Sequence, residues 1–172
     1  MIRNANTNDI AAVNNIYQEL FNYEITHGRT TNWVNGVYPT KNTAKAALKT
    51  NTLYVLEIDD KIKGSMILNQ IQPDEYQNIH WQNKHIPAEV LVIHTLCIAP
   101  AIAKKGYGKK MILYVMKKAQ QLGYKTIRLD TWIKNEPAIS LYKAMNFTIA
   151  GTAPMYLQNL IKEEQIFFEY KI

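Results

Sequence analysis

Residues 90–118 read VLVIHTLCIAPAIAKKGYGKKMILYVMKK, and this stretch decides the fold. Its first nine residues are almost all apolar, which is typical of a strand buried on both faces of a sheet. Pro100 has no N–H group for a ladder hydrogen bond, so it ends the strand. The stretch therefore predicts a strand in the middle of a sheet.

The turn after this strand predicts an anion-binding helix start. Gly106 and Gly108 allow the backbone to bend close to a ligand. Beyond them, the turn opens onto the electropositive N-terminus of a helix, since apolar residues recur at helical spacing at Ile112, Met116, Ala119 and Leu122. Four lysines around the turn suit a diphosphate better than a single carboxylate, namely Lys104, Lys105, Lys109 and Lys110. By itself, a glycine turn beside solvated lysines is also common on protein surfaces.

A second informative segment, NEPAISLYKAMNF, covers residues 135–147. Asn135 or Glu136 can cap a helix, and Pro137 suits a first helical turn. One apolar stripe follows at helical spacing and consists of Ala138, Leu141, Tyr142 and Met145. The segment predicts a short helix that packs against a sheet.

With both segments in this order, the chain resembles the GNAT superfamily of acyl-CoA-dependent N-acetyltransferases. The family's cofactor signature is glutamine or arginine, two variable residues, glycine, one variable residue, and glycine or alanine. Residues 103–108 match it except at Ala103, which lacks the usual polar side chain. The later family pattern is matched by Asn135, Ala138, Leu141, Tyr142 and Phe147, with Asn146 in place of a glycine. Asparagine tolerates the left-handed conformation at helix ends better than most residues.

The resemblance implies one N-acetyltransferase domain over residues 1–172, with a mixed α+β (α/β mixed) fold. The implied architecture is a central mixed, mostly antiparallel sheet flanked by helices, with a splayed central strand pair. The implied reaction moves an acetyl group from acetyl-CoA to a primary amine of a small molecule or peptide, by direct attack in a ternary complex. The implied cofactor-binding residues are Leu96, Cys97, Ile98, Ala103, Lys104, Lys105, Gly106, Tyr107, Gly108, Lys109, Asn135, Ala138 and Tyr142.

The chemistry requires three catalytic roles, and the resemblance assigns residues to two of them. An ordinary amine has a pKa of about 10, so a base or a chain of water must remove a proton. The resemblance places an N–H donor for the oxyanion at the backbone near Cys97 or Ile98, and a phenol for the departing thiolate at Tyr142. Tyr142 can also be a core aromatic residue on a helical stripe.

The identity of the base stays open. His94 lies in the apolar strand, where it is either a base near neutral pH or a core histidine with its hydrogen bonds satisfied. Glu24 and Glu89 are weaker candidates. An acetyl-cysteine intermediate at Cys97 is not expected, because small buried cysteines are common in strands.

Two irregular segments are candidates for acceptor binding. Trp33 and Tyr38 lie between the first two predicted helices, a connection that usually lines the acceptor site in the resembled family. Residues 70–88 form a long stretch with two prolines and no clear period, and they include Trp81. This second segment either covers a substrate pocket or is a surface insertion.

The rest of the chain predicts a few further elements. Thr7 is expected to cap a first helix, and residues 41–49 predict a weaker second one. The expected strands cover residues 53–58, 62–69, 126–132, 147–151 and 165–170, and the first two form a hairpin. Because strands and helices alternate only in the centre, we expect a mixed sheet.

Composition limits the remaining function classes. The 172 residues are 47% hydrophobic and 20% charged, as in a globular domain, and no apolar run approaches the roughly 20 residues that cross a bilayer. The single cysteine and the polar start MIRNANTND favour the cytoplasm. The net charge of +6 permits nucleic-acid binding, but an anionic cofactor already explains the clustered lysines, so we expect neither nucleic acid nor a membrane as partner.

Three further expectations concern metals, activity and assembly. His27, His80 and His85 do not form a convincing ligand set, so no metal is expected. A non-catalytic acyl-CoA-binding or partner-binding module is the alternative to an enzyme. Assembly into a homodimer is left open.

Overall fold

The computed structural model describes residues 1–172, with four helices and seven strands. The helices are α1 (Asp9–His27), α2 (Lys41–Lys49), α3 (Tyr107–Gln121) and α4 (Glu136–Ala144). The strands are β1 (Ile2–Asn4), β2 (Leu53–Ile58), β3 (Lys61–Asn69), β4 (Val90–Ile98), β5 (Thr126–Trp132), β6 (Thr148–Leu157) and β7 (Ile161–Lys171). Short 3₁₀ turns cover Asp74–Asn78, Pro87–Glu89 and Pro100–Ile102.

The seven strands form one sheet in the order β1-β2-β3-β4-β5-β7-β6. β4 and β5 pair in parallel, whereas the pairs β1–β2, β2–β3, β5–β7 and β6–β7 are antiparallel. The parallel ladder joins only residues 90–92 to residues 126–128, so most of β4 has no ladder bonds to β5. These observations confirm the mixed, mostly antiparallel α+β fold and the splayed central strand pair.

One compact unit comprises residues 1–29, 33–68 and 94–111. Its core joins α1 and α2 to strands β2, β3 and β4, and its fully buried members include Val13, Tyr17, Ala44 and Val55. Burial of each large apolar side chain in this core contributes roughly 1.5–3 kcal/mol to stability. This core holds the second half of β4 in place.

The other unit comprises residues 30–32, 69–93 and 112–172. Tyr76 and Ile79 of the segment between β3 and β4 pack on Val90, Val92 and Phe167. The segment that lacked a sequence period is therefore part of the core of this unit.

The start of α1 differs from the sequence-based expectation. Asn8, not Thr7, precedes the helix, and its side chain makes no capping hydrogen bond. The Asp9 carboxylate instead accepts hydrogen bonds from the Asn6 amide at 2.8 Å and from Arg3 Nη1 at 2.7 Å. The expected Thr7 cap is wrong because the partly buried ion pair of Arg3 with Asp9 holds the first turn.

The last two strands are longer than the residues 147–151 and 165–170 that the sequence predicts. Gly151 and Pro154 look like strand ends, but β6 lies at the edge of the sheet and has a bulge between Ile149 and Gly151. An edge strand tolerates both a bulge and a proline, because one side of its backbone needs no ladder partner. Pairing therefore continues to Leu157.

No helix is both long enough and apolar enough to cross a membrane.

Candidate active site

The start of α3 has the geometry of an anion site. Gly106 has a φ of +82°, and a Cβ there would meet no atom within 4 Å, so the backbone angle rather than space favours glycine. The Lys110 amide donates to the Gly106 carbonyl at 3.1 Å. The amides of Tyr107, Gly108 and Lys109 come before any intrahelical acceptor, and no backbone carbonyl accepts from them. The helix begins at Tyr107, so Gly108 lies in its first turn rather than in the loop.

The lysine side chains around the start of this helix are exposed to solvent, where they can contact an anion. Lys104, Lys105 and Lys109 are exposed, and Ala103 is exposed as well. Unpaired amides with three solvated ammonium groups fit a diphosphate, which carries several negative charges. The residues present therefore fit coenzyme A without a polar side chain at position 103.

The middle of β4 is strained at Thr95, which has a φ of +52°. A positive φ is an outlier for a β-branched residue, and such strain occurs where the surrounding contacts impose it. The Thr95 Oγ1 atom lies 2.5 Å from Tyr38 Oη. After residue 93 the strand alternates between half-buried and buried side chains instead of staying buried on both faces, so the sequence-based picture holds only for its first half.

The cofactor candidates on β4 differ in exposure. Leu96 and Ile98 are half-buried, whereas Cys97 is buried in the core between α1 and β3. Burial raises the pKa of the Cys97 thiol to about 12. The thiol is therefore protonated at neutral pH, which makes it a poor nucleophile.

Two acceptor-site candidates lie close to this part of β4. The rings of Trp33 and Tyr38 meet edge to face, with centroids 6.0 Å apart. Since Tyr38 also contacts Thr95, the structure places this aromatic pair at the middle of the central strand. Neither aromatic residue is on a helix or a named strand.

The three base candidates from the sequence are in different environments. His94 is half-buried on β4, next to the strained Thr95. Glu24 is buried within α1. The Glu89 carboxylate pairs with His85 Nδ1 at 3.2 Å, so it already has a partner.

The start of α4 confirms one sequence-based expectation. Asn135 caps the helix, because its Oδ1 atom accepts the Ala138 amide at 3.3 Å while its Nδ2 donates to Thr131 Oγ1 at 3.0 Å. Glu136 lies inside the helix and is not the cap. These two hydrogen bonds of the Asn135 side chain fix the first turn of the helix that carries Tyr142.

Tyr142 is buried, and its ring packs on Phe147 and Phe168 at centroid distances of 5.9 and 5.5 Å. Burial raises the pKa of the Tyr142 phenol well above its ordinary value, and the negative charge of Asp130 raises it further. The phenol is therefore protonated at neutral pH and can donate a proton, but it cannot act as a base.

Asp130 on β5 is the ionisable residue that sequence reasoning missed. It is half-buried, and Tyr76 Oη donates a hydrogen bond to its Oδ1 atom at 2.7 Å. Burial raises the pKa of Asp130 to about 6, although the Tyr76 bond opposes that rise and nearby Glu75 adds to it. A carboxylate within the predicted strand TIRLDTW was the available signal.

The segment of residues 70–88 is fixed to the sheet by two buried charges. Arg128 donates to Gln72 Oε1 at 2.7 Å and to the Asn83 carbonyl at 2.8 Å. Its guanidinium carbon lies 4.1 Å from the centroid of the Trp81 ring. Glu169 on β7 accepts from the Gln82 amide at 2.7 Å. Through these contacts, residues 70–88 are held in a fixed position against the sheet.

Beside this segment lies an open cavity of about 810 Å³. Tyr76, Trp81 and Arg128 are among its lining residues. The volume is within the range of roughly 300–1,000 Å³ that small-molecule sites have. The structure thus places the third acceptor-site candidate, Trp81, in a cavity wall.

No group of three or more histidine, cysteine, aspartate or glutamate side chains is placed to hold a metal ion.

A model of the acetyltransferase (GNAT) family matches residues 11–147. With the fold and the helix start described above, this match shows that the chain belongs to the GNAT family of acetyltransferases. Among sequence relatives, YvbK of Bacillus subtilis (strain 168), named an uncharacterized N-acetyltransferase, is 24% identical over 111 residues. That match covers 64% of this chain and 62% of YvbK, so the chain spans less than two thirds of this relative.

Two solved structures show how far the fold is shared. A GNAT-family acetyltransferase from Streptococcus agalactiae 2603 has a TM-score of 0.85 at 15% identity, covering 100% of this chain and 95% of that one. The structure of yncA from Salmonella typhimurium, with its cofactor acetyl-CoA, has a TM-score of 0.69 at 18% identity, covering 99% and 92%. At these identities the likeness concerns the fold alone.

Proposed function

We propose that residues 1–172 form one N-acetyltransferase domain, which transfers an acetyl group from acetyl-CoA to a primary amine of a small molecule or peptide. The observation that carries the proposal is the start of α3 in a GNAT-family chain, where three backbone amides have no backbone acceptor and lysines surround them. The acetyl-CoA in the yncA structure supports the choice of donor.

The proposed cofactor site uses backbone and side-chain groups for different parts of coenzyme A. The amides of residues 107–109 and the lysines at 104, 105 and 109 would hold the diphosphate. Leu96, Cys97 and Ile98 of β4 and Asn135 and Ala138 of α4 would line the pantetheine arm. When bound, acetyl-CoA supplies an acetyl group activated as a thioester.

Two groups of this chain would act on the developing charges. A backbone N–H of Cys97 or Ile98, beyond the strained Thr95, would donate to the acyl oxygen as that oxygen becomes negative. Tyr142 would donate its phenol proton to the departing sulfur, because burial keeps that phenol protonated.

The acceptor would contact the aromatic residues Trp33, Tyr38 and Trp81. Tyr38 is tied to β4 through Thr95, and Trp81 lines the 810 Å³ cavity. His94 on β4 and Asp130 on β5 are then two candidates for the base that takes a proton from the amine.

The proposal is tested by incubating the protein with acetyl-CoA and a panel of primary amines while free thiol is measured. We expect amine-dependent thiol release, and mass spectrometry should find the acetylated product. Binding of acetyl-CoA without amine-dependent release would contradict the enzyme and favour a non-catalytic acyl-CoA-binding module. Isothermal titration with acetyl-CoA provides the matched measure of binding.

A further inference from the structure

The cavity of about 810 Å³ beside Trp81 is lined by Arg128 of β5 and otherwise only by residues 70–87. These residues connect β3 to β4, so the cavity adjoins the start of β4, whereas α3 follows the end of that strand. None of the residues proposed to bind acetyl-CoA lines the cavity. The cavity therefore shares no residue with the proposed cofactor site, and its volume is in the range of small-molecule sites.

The charged side chains that line the cavity are basic. Arg128 and Lys84 are its two cations, His80 and His85 also line it, and no carboxylate does. Lys84 is exposed and forms no ion pair. His85 pairs with Glu89, which lies outside the lining. This balance of charge favours an anionic ligand.

Arg128 is the buried cation of this cavity, with 5% of its surface exposed. Its Nη1 atom donates to Gln72 Oε1 and its Nη2 atom donates to the Asn83 carbonyl, with one bond each. Its Nε atom is buried and has no hydrogen-bond partner. A guanidinium carries five N–H donors, so two neutral acceptors leave several donors and the positive charge without an anion.

The carboxylate on the neighbouring strand does not take that place. Glu169 of β7 lies opposite Arg128 in the antiparallel ladder. Its oxygens accept from the Gln82 and Asn83 amides, and it forms no ion pair with Arg128. Burial lowers the pKa of Arg128 and the charge of Glu169 opposes that change, but a guanidinium stays protonated at neutral pH. Arg128 is thus a buried, charged donor without an anionic hydrogen-bond partner in the chain.

Apolar side chains supply much of the remaining surface. Trp81 is half-buried, and its position is fixed because its ring stacks on Arg128 and its Nε1 atom donates to the Tyr76 carbonyl at 2.8 Å. Ile86 lines the cavity with 64% of its surface exposed, and Ile71, next to two lining residues in the chain, is 69% exposed. Large apolar side chains exposed around a polar pocket are typical of a binding site. A matching ligand has one charged end and an apolar body.

We propose that this cavity binds a small organic carboxylate, whose charged end contacts Arg128 and Lys84 and whose apolar body lies against Trp81 and Ile86. The site goes beyond the acetyl transfer proposed above, and binding there does not require that reaction. Two sources share this chemistry. One is an acceptor amine that itself carries a carboxylate, since Trp81 is also a proposed acceptor contact, and the other is a separate carboxylate that regulates the protein.

The test adds phenylacetate, or its neutral match phenylacetamide, to ¹⁵N-labelled protein and follows two side-chain signals by NMR. One is the indole N–H of Trp81, which W81F assigns among the three tryptophans. The other is the Nε–H of Arg128, which R128K assigns. We expect both signals to shift and saturate with phenylacetate. Phenylacetamide should bind about tenfold more weakly or less, because it lacks the charge that strengthens a hydrogen bond to a guanidinium.

Three variants locate the recognition of the charge. Arg128→Lys keeps the positive charge but loses the planar donor group, so phenylacetate should bind about tenfold more weakly. Lys84→Gln removes an exposed charge and should weaken phenylacetate about two- to fivefold. Lys171→Gln, at an exposed lysine of β7 outside the lining, is the matched control and should leave the affinity unchanged. If R128K does not fold, the two ligands compared in wild type and K84Q decide the question.

Tighter binding of phenylacetate than of the amide, with both signals shifted, supports the carboxylate site. Equal affinities, or unmoved signals of Trp81 and Arg128, overturn it. Inorganic phosphate that shifts the same signals with the same affinity also overturns it, since the apolar body then contributes nothing.

Activity measurements distinguish the two sources of the ligand and keep this inference separate from the proposed function. Phenylacetate that competes with the amine supports the site as part of the acceptor site, whereas binding with an unchanged KM for the amine supports a site for a separate ligand. Absence of amine-dependent thiol release, together with binding of phenylacetate, overturns the acetyltransferase and supports the carboxylate site.

Discussion

At the scale of single residues, burial acts on three acids of this chain with three different results. It raises the pKa of Cys97 to about 12 and the pKa of Tyr142 well above its ordinary value, so both keep their protons at neutral pH. Asp130 starts from a much lower ordinary pKa, and the same effect brings its pKa to about 6. One physical cause therefore keeps the thiol and the phenol protonated at neutral pH and brings the pKa of the Asp130 carboxyl group closer to that range.

Replacing Tyr142 with phenylalanine tests the donor. We expect kcat to fall by about 10²-fold, because a positioned acid contributes on that order, while the Kd for acetyl-CoA stays within a few-fold of wild type. Tyr124→Phe, at the half-buried tyrosine before β5, is the matched control and should leave both values unchanged. Unchanged turnover in Y142F would remove Tyr142 from the chemistry and leave it a core aromatic residue.

The stability of D130N should depend on pH differently from that of the wild type. The pKa of Asp130 in the folded state, about 6, is above its ordinary value of 3.8, so the folded protein binds more protons in that interval. Its contribution to stability is present at low pH and is lost as the pH rises from about 4 to about 6.

The measurement is urea unfolding of both proteins at pH 4 and pH 7.5. Relative to D130N, the wild type should lose stability on the order of 2–3 kcal/mol between these values. Glu164→Gln, an exposed carboxylate on β7, should behave like wild type. Parallel stabilities of wild type and D130N at both pH values would show that Asp130 is not held in a destabilising site.

At the scale of elements, the spacing of apolar residues predicted the helices and strands whose ends are determined by neighbouring residues in the sequence. Helix α2 and strand β5 have the bounds that the sequence predicts, because their apolar patterns end at polar or turn residues. The Asn135 cap was also predictable, since capping needs only a side chain and a nearby amide. The missing cap at Thr7 and the far end of β6 were not predictable, because the ion pair of Arg3 with Asp9 decides the first and the edge position of β6 decides the second.

The segment of residues 70–88 shows why long-range contacts escape sequence reasoning. Its position depends on Arg128 and Glu169, which are 45 to 87 residues away along the chain. No local pattern connects those charges to the amides and carbonyls they meet. The cavity beside Trp81 is formed by such contacts, so the sequence pointed to Trp81 but not to the residues that surround it.

Replacing Glu169 with alanine should release this segment. The change leaves the Gln82 and Asn83 amides without an acceptor inside the protein, which costs roughly 1–3 kcal/mol for each unpaired group. Hydrogen exchange measured by mass spectrometry should become faster in residues 76–85. Glu164→Ala, the exposed neighbour on the same strand, should leave exchange unchanged. Equal exchange in both variants would mean that Glu169 does not hold the segment.

At the scale of the whole molecule, the class of protein was evident from two motifs, whereas the acceptor was not. Six lysines lie between residues 104 and 118, and in the proposed function their charge would attract an anionic cofactor to the start of α3. The proposed anion site depends on lysine charges, on glycine in the turn and on the start of a helix, and all three are specified by local sequence. Choice of the amine depends on side chains brought together from distant segments, so it has to be measured.

The central claim is that the amides at the start of α3 hold the diphosphate of coenzyme A. The most direct measurement is a titration of ¹⁵N-labelled protein with acetyl-CoA, followed by the amide signals in NMR spectra. The account predicts that the amide signals of Tyr107, Gly108 and Lys109 shift strongly and saturate together, because these N–H groups gain a charged acceptor. Saturable shifts confined to other parts of the chain, with these three signals unmoved, would contradict the account.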